Sequence, residues 1–168
     1  MAHPKRVEAE PRLGASYDGD LAAWSLEQAG HLRQRAWAKL DIPHLIDEVE
    51  SVARAERNAL TSALRIILLH LLKWDHQPDM RSRSWTTSIR VQRLAALERM
   101  EDSPSLGAQM EDLLARAYRR ARIEAAAETN LPEATFPETC PYSADAVLNR
   151  DMPWPQAANE KAGISSEP

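Results

Sequence analysis

This sequence of 168 residues contains one cysteine, five glycines, one phenylalanine and few aromatic residues of any kind. The single cysteine, Cys140, excludes an internal disulfide and favours a reducing compartment. The low aromatic content is unfavourable for β-strands. Alanine, leucine and arginine are abundant instead, and these residue types favour helices. We therefore expect an all-α protein, located in the cytoplasm.

Long apolar runs are also missing from the sequence. The apolar stretch around Ile66 is interrupted by His70 and Lys73, so it falls short of the roughly 20 residues that a membrane span needs. Residues 1–12, MAHPKRVEAEPR, have no apolar core, so we expect no signal peptide in them. A net charge of −4 does not indicate a general polyanion binder. We expect no membrane partner and no cofactor.

The hydrophobic pattern divides the chain into two polar ends and one folded region. Residues 1–16 and 154–168 are polar, contain proline and lack periodicity, which is typical of loose tails. Residues 17–153 are long enough for a single helical domain with its own core. Apolar residues recur at helical spacing in four segments of this region, and a short helix is expected at residues 143–149. The sequence thus predicts a helical bundle of about four main helices plus a short C-terminal helix.

Polar residues and prolines predict where these helices begin and end. Residues of the capping type precede each helix: Asp18 or Asp20 the first, Asp41 the second, Ser84 the third and Ser103 the fourth. The second helix is expected to end near Gln77, because Pro78 disfavours helix in the residue before it. The apolar stripe of this helix thins at residues 54–58, which leaves a bend or break there as an alternative to one continuous helix.

Four segments of the sequence carry a family resemblance. They are residues 40–60 (LDIPHLIDEVESVARAERNAL), 68–85 (LLHLLKWDHQPDMRSRSW), 101–106 (EDSPSL) and 128–143 (ETNLPEATFPETCPYS). From Tyr17 to Pro153 the chain resembles the bacterial family of helical proteins catalogued as domain of unknown function twenty-nine, most specifically in HLLKW and RSRSW. The resemblance implies an all-α fold and a bacterial cytoplasmic protein. It implies no activity, substrate or catalytic residue.

The richest polar and aromatic neighbourhood lies at the end of the second helix and in the following loop. His70 and Trp74 are four residues apart and share a helix face, with Lys73 within one turn. We consider six residues as ligand- or anion-binding candidates: His70, Lys73, Trp74, Arg81, Arg83 and Trp85. Arginine side chains suit such a site because their planar forks match phosphate. The alternative, and the commoner arrangement, is a structural junction in which tryptophans pack and arginines bond the last helix carbonyls.

Other site chemistries have weaker sequence support. His70 and His76 lie on helix faces about 120° apart, so we predict no metal site. An enzyme centred on His70 would use Glu48 or Glu50, but twenty or more helical residues span roughly 30 Å. A helix break or an antiparallel dimer would have to bring these groups together. Cys140 has no histidine near it in sequence to act as a base, and we assign no catalytic residue.

Basic residues are unevenly distributed along the chain. Between Lys73 and Arg99, six lysines or arginines face three acidic residues. Four arginines crowd one part of the fourth helix: Arg116, Arg119, Arg120 and Arg122. Such a surface could contact a phosphate backbone, although a basic helix face is more often simply solvated.

Three functional hypotheses follow from these patterns. Many well-patterned helices without a coherent catalytic set favour a non-catalytic helical protein-interaction module, which binds a protein partner or itself. The first alternative is binding of nucleic acid or a phosphate ligand through the basic surface. The second alternative is an enzyme or metal site centred on His70.

Overall fold

A computed structural model describes residues 14–153, of which 78% are helical. Five α-helices follow one another: α1 (Leu21–Arg33), α2 (Ile42–His76), α3 (Arg83–Asp102), α4 (Met110–Thr129) and α5 (Ala144–Asn149). Residues 14–153 contain no strand. The prediction of a helical bundle with four main helices and a short C-terminal helix is confirmed. The two expected tails, apart from residues 14–16, lie outside the described residues.

The chain divides into two compact units, Met1–Ala53 and Arg54–Pro168. The division falls within α2, which is assigned as one helix of 35 residues. The first unit therefore contains α1 and the beginning of α2, and the second unit contains the remaining helices. That residues 17–153 form one domain stays a prediction.

The first unit is held together by contacts between α1 and the start of α2. Asp20 caps α1, as predicted, by accepting a hydrogen bond from the Ala23 amide at 3.0 Å. Trp24 and Gln28 are buried on the inner face of α1. Both side chains contact Asp41, which immediately precedes α2. Trp24 Nε1 donates to the Asp41 carboxylate at 3.2 Å, and the Asp41 backbone amide donates to Gln28 Oε1 at 2.8 Å. These bonds hold the start of α2 against α1.

The second unit has a core made by α2, α3 and α4. Its buried side chains recur at helical spacing and include Leu60, Leu64, Ile67, Leu68, Leu71 and Leu72 of α2, Ile89 and Ala96 of α3, and Leu113, Ala117, Ala121 and Ala125 of α4. Tyr118 and Phe136 are the bulkiest fully buried side chains. The Tyr118 hydroxyl donates to the Pro137 carbonyl at 2.7 Å, which fastens the segment after α4 onto the core.

The start of α3 differs from the prediction. Ser82, not Ser84, is the N-cap residue, and α3 begins at Arg83. The hydroxyl groups of Ser82 and Ser84 form a hydrogen bond of 2.7 Å with each other. Ser84 therefore lies inside the first turn, where its hydroxyl has a partner other than the backbone amides of a cap.

The region between α3 and α4 is a tighter helix than predicted. Ser103 precedes a 3-10 helix, Pro104–Gln109, and α4 begins only at Met110. Proline at the first position is compatible with both kinds of helix, because neither uses that amide. α4 ends at Thr129, and the next residue, Asn130, has a left-handed φ of 57°, a conformation that asparagine adopts more readily than most residues.

Candidate functional site

The predicted anion-binding candidates at the end of α2 form a packed junction. Lys73 is 9% exposed, and its ammonium group donates to Glu128 Oε2 on α4 at 2.5 Å. The same group lies 4.6 Å from the centroid of the Trp85 ring on α3. A buried ammonium group needs such a counter-ion and benefits from the face of an aromatic ring. Lys73 therefore connects α2 with α3 and α4.

Arg81 covers the C-terminal end of α2. Its guanidinium group lies 4.7 Å from the centroid of the buried Trp74 ring, and Nε donates to the Trp74 carbonyl at 3.0 Å. That carbonyl belongs to the last helical turn, where the helix itself supplies no donor. A cation is also favoured there by the helix dipole. Arg83 is exposed at the first residue of α3.

His70 is a partly buried residue whose partner lies on its own helix. Its Nδ1 and the Ile66 carbonyl oxygen are 2.8 Å apart, so a neutral ring donates from Nδ1. Burial lowers the pKa of His70, and the nearby Lys73 charge lowers it further, although the bond to Ile66 acts in the opposite direction. Glu48, one of the carboxylates considered as its partner, accepts a hydrogen bond from the Tyr17 hydroxyl at 2.7 Å.

These contacts match the structural junction that the sequence offers as the alternative to an anion-binding site. An arginine bonds a helix carbonyl, the cations lie against tryptophan rings, and the histidine bonds the backbone. Anion binding by the six candidates stays a prediction. Among residues 14–153, no three histidine, cysteine, aspartate or glutamate side chains are grouped so that they could hold a metal ion.

Cys140 has the surroundings of an unreactive thiol. Burial raises the pKa of Cys140, and its sulfur donates to the Tyr142 carbonyl at 3.5 Å. Because the thiolate is the reactive form of cysteine, a raised pKa disfavours nucleophilic chemistry.

A cluster of aromatic and charged side chains at the start of α2 was not predicted. The rings of Tyr17 and His44 stack with centroids 4.1 Å apart and an interplanar angle of 17°. His44 Nδ1 lies 2.7 Å from Asp41 Oδ2, and this bond is the main reason that the pKa of Asp41 is lowered. The spacing of Asp41 and His44 in a first helical turn was a visible signal. The contact with Tyr17 was not, since Tyr17 and His44 are 27 positions apart in the sequence.

A polar groove lies between α2 and α4 in the second unit, with a volume of about 760 Å³. Its lining consists of Asn58, Thr61 and Ser62 of α2 and Arg116, Arg119 and Arg120 of α4. The fourth arginine of the predicted basic cluster, Arg122, points elsewhere. It donates to Glu133 Oε1 at 2.7 Å and to the Phe136 carbonyl at 3.1 Å. The structure thus separates three arginines of this cluster from the fourth.

An exposed apolar face occupies the beginning of α2, in the first unit. We call it the α2 stripe: Ile42, Ile46, Val49 and Val52, with exposed fractions of 49%, 52%, 70% and 64%. Ile42, Ile46 and Val49 also line a cavity of about 250 Å³ together with Leu45 and Glu50. Ile46, Val49 and Val52 belong to the apolar pattern that predicts the second helix, but this part of the pattern is not in the core.

None of the helices between residues 14 and 153 has both the length and the apolar character that crossing a membrane requires.

Comparison with known proteins identifies the family of the chain. No curated protein and no solved structure matches the chain. One family model, Domain of unknown function DUF29, matches residues 16–152. Since this match covers most of the sequence, the chain belongs to the family Domain of unknown function DUF29.

Proposed function

We propose that this protein is a non-catalytic helical interaction module that binds an apolar helix of a partner chain. The observation that carries the proposal is the α2 stripe. Its residues are separated by four, three and three positions, which places them on one helix face. Recognition between a helix and an apolar surface typically uses anchors at this spacing.

The exposed area of the α2 stripe supplies a driving force for association. Fully burying one valine or isoleucine side chain contributes roughly 1.5–3 kcal/mol. With 49–70% of each residue exposed, covering the four residues would contribute on the order of 4 kcal/mol. This contribution is comparable to the lower range of the cost of association, so the partner has to add further contacts of its own.

Charge around the α2 stripe restricts the partner further. Glu50 lines the same cavity as the apolar residues, and Asp47 and Glu48 precede it on the helix. A partner helix whose apolar face is bordered by lysine or arginine would gain electrostatic complementarity, which mainly increases specificity and the association rate.

The experiment compares two exposed apolar positions, Val49 in the α2 stripe and Ile123 on α4, which are 70% and 58% exposed. A photo-reactive amino acid is placed at either position, and the full chain is irradiated alone and in an extract of its source organism. We expect a product from position 49 that is absent from position 123. Mass spectrometry identifies the attached peptide as a second copy of this chain or as another protein.

The identified partner is then purified and tested for binding to the Val49→Glu and Ile123→Glu variants. Binding should be lost in Val49→Glu and kept in Ile123→Glu, while circular dichroism verifies that both variants are folded. Size-exclusion chromatography with light scattering gives the stoichiometry. A monomeric chain without a product specific to position 49, or a complex indifferent to Val49→Glu, would overturn the proposal.

We also infer that the interaction takes place in the cytoplasm of a bacterium. The single cysteine supports a reducing compartment, and the family resemblance is to bacterial proteins. Fractionation of source cells tests this location, and recovery of the chain from a secreted or membrane fraction would contradict it.

A further inference from the structure

The polar groove of the second unit is lined by side chains that are able to form hydrogen bonds. Arg116, Arg119 and Arg120 are three and four residues apart and so share one face of α4. Asn58 and Ser62 have the same relation on α2. The volume of about 760 Å³ is within the range of small-molecule sites, roughly 300–1,000 Å³. A lining of this kind selects a strongly polar ligand.

The three arginines of the groove have no acidic partner in the part of the chain that the structure describes. No ion pair or hydrogen bond joins their side chains to any other residue between 14 and 153. Two acidic residues of α4 are engaged by cations of α2 instead, since Glu124 pairs with Arg65 and Glu128 with Lys73. Like charges three or four residues apart destabilise a helix. An anion bound in the groove would relieve this repulsion.

Acidic residues limit the anion to one side of the groove. Asp112 and Glu138 line a neighbouring cavity that shares Arg116 and Arg119. An anion is repelled from that side and attracted towards Arg120 and α2. The Asn58 amide and the Ser62 hydroxyl are donors on the favoured side.

We infer that the polar groove between α2 and α4 binds a small organic phosphate through Arg116, Arg119 and Arg120. Arginine forks hold phosphate oxygens by paired, charge-assisted hydrogen bonds. Three guanidinium groups match a ligand with two or more phosphate groups. Thr61 donates its own proton to the Arg57 carbonyl at 2.7 Å, so its oxygen remains as an acceptor for a ligand hydroxyl.

A small ligand fits this groove better than a nucleic-acid backbone does. Binding to a backbone uses many phosphate contacts along an extended basic surface. The groove has three arginines, and the whole chain has a net charge of −4. A compact anion meets only the local positive charge, whereas a long polyanion also meets the acidic remainder of the protein.

The experiment is isothermal titration calorimetry of the full chain with pyrophosphate, adenosine triphosphate and a short single-stranded DNA. The groove variant is Arg116→Gln/Arg120→Gln. The control, Arg33→Gln/Lys39→Gln, changes the charge equally at two exposed residues of the first unit. We expect saturable binding of pyrophosphate and adenosine triphosphate, weakened about tenfold or more in the groove variant and unchanged in the control.

Thermal unfolding without ligand separates lost binding from lost folding. The groove variant should be at least as stable as the wild type, because removing two of three neighbouring like charges reduces their repulsion. Absence of saturable binding of both small phosphates at low salt would overturn the inference, as would equal weakening in the control. Binding of DNA alone, with a steep dependence on salt, would replace the small ligand by a nucleic acid.

Discussion

Shortening an apolar side chain of α2 should cost much less stability in the exposed α2 stripe than in the buried core. Leu64 is fully buried, whereas Val49 is 70% exposed. Leu64→Ala should lower the free energy of unfolding by roughly 2–5 kcal/mol, because it leaves a cavity in a packed core. Val49→Ala removes side-chain surface of which only a minor part is covered, and alanine favours helix more than valine does. We expect a loss of at most about 0.5 kcal/mol.

Urea denaturation followed by far-ultraviolet circular dichroism measures both costs. The slope against urea concentration should be the same for both variants, so that the midpoints report stability alone. Repeating the measurement at several protein concentrations shows whether a second copy covers the α2 stripe, because the cost of Val49→Ala would then increase with concentration. A cost similar to that of Leu64→Ala at every concentration would refute the reasoning, since it would mean that the chain itself buries Val49.

Three further predictions concern hydrogen bonds and protonation. Tyr118→Phe should lower the free energy of unfolding by about 1–2 kcal/mol, because the Pro137 carbonyl loses its donor; an unchanged urea midpoint would contradict this. Burial opposes ionisation of Asp75, but hydrogen bonds from Arg150 and Tyr142 prevail and lower its pKa. The Asp75 carboxylate contributes its full stabilisation above the ordinary pKa of about 3.9 and loses it as the pH falls through the lowered pKa. The free energies of unfolding of Asp75→Asn and the wild type should therefore converge in acid; parallel curves against pH would count against this prediction. The pKa of His70 is lowered, so its nuclear magnetic resonance titration midpoint should lie below the ordinary histidine value of about 6.5. The free energy of unfolding should decrease as the pH falls through about 6.5; a midpoint above that ordinary value would disprove the prediction.

Local signals in the sequence were sufficient for the helices and for several of their ends. Asp20 begins α1 and Ser143 begins α5 through side-chain bonds to amides three residues later, which is a relation within one turn. The predicted N-cap residue of α3, Ser84, was wrong for an equally local reason. Ser82 and Ser84 are both residues of the capping type, so the residue types alone do not determine which of them precedes the helix. Ser82 is the N-cap residue without a side-chain bond to a first-turn amide, and its hydroxyl bonds that of Ser84 instead.

Whether an apolar helical stripe is buried depends on which part of the structure packs against it. The periodicity of the sequence does not contain that information. Ile46, Val49 and Val52 are apolar residues at helical spacing, as are Leu64, Ile67 and Leu71 on the same helix. The second set is covered by α3 and α4, whereas the first set is exposed. The apolar pattern therefore predicts that a face needs a partner, and the tertiary structure determines whether the chain itself provides one.

The same reasoning applies to charge. The sequence groups Arg122 with Arg116, Arg119 and Arg120, but Arg122 is engaged by Glu133 and a carbonyl in the segment after α4. At the end of α2, Lys73 and Arg81 are likewise engaged, by Glu128 and by the Trp74 carbonyl. Cations that folding has already paired have less capacity for a ligand than cations without a partner. This difference moves the expected anion site from the predicted junction to the groove on α4, although the junction has the more distinctive sequence.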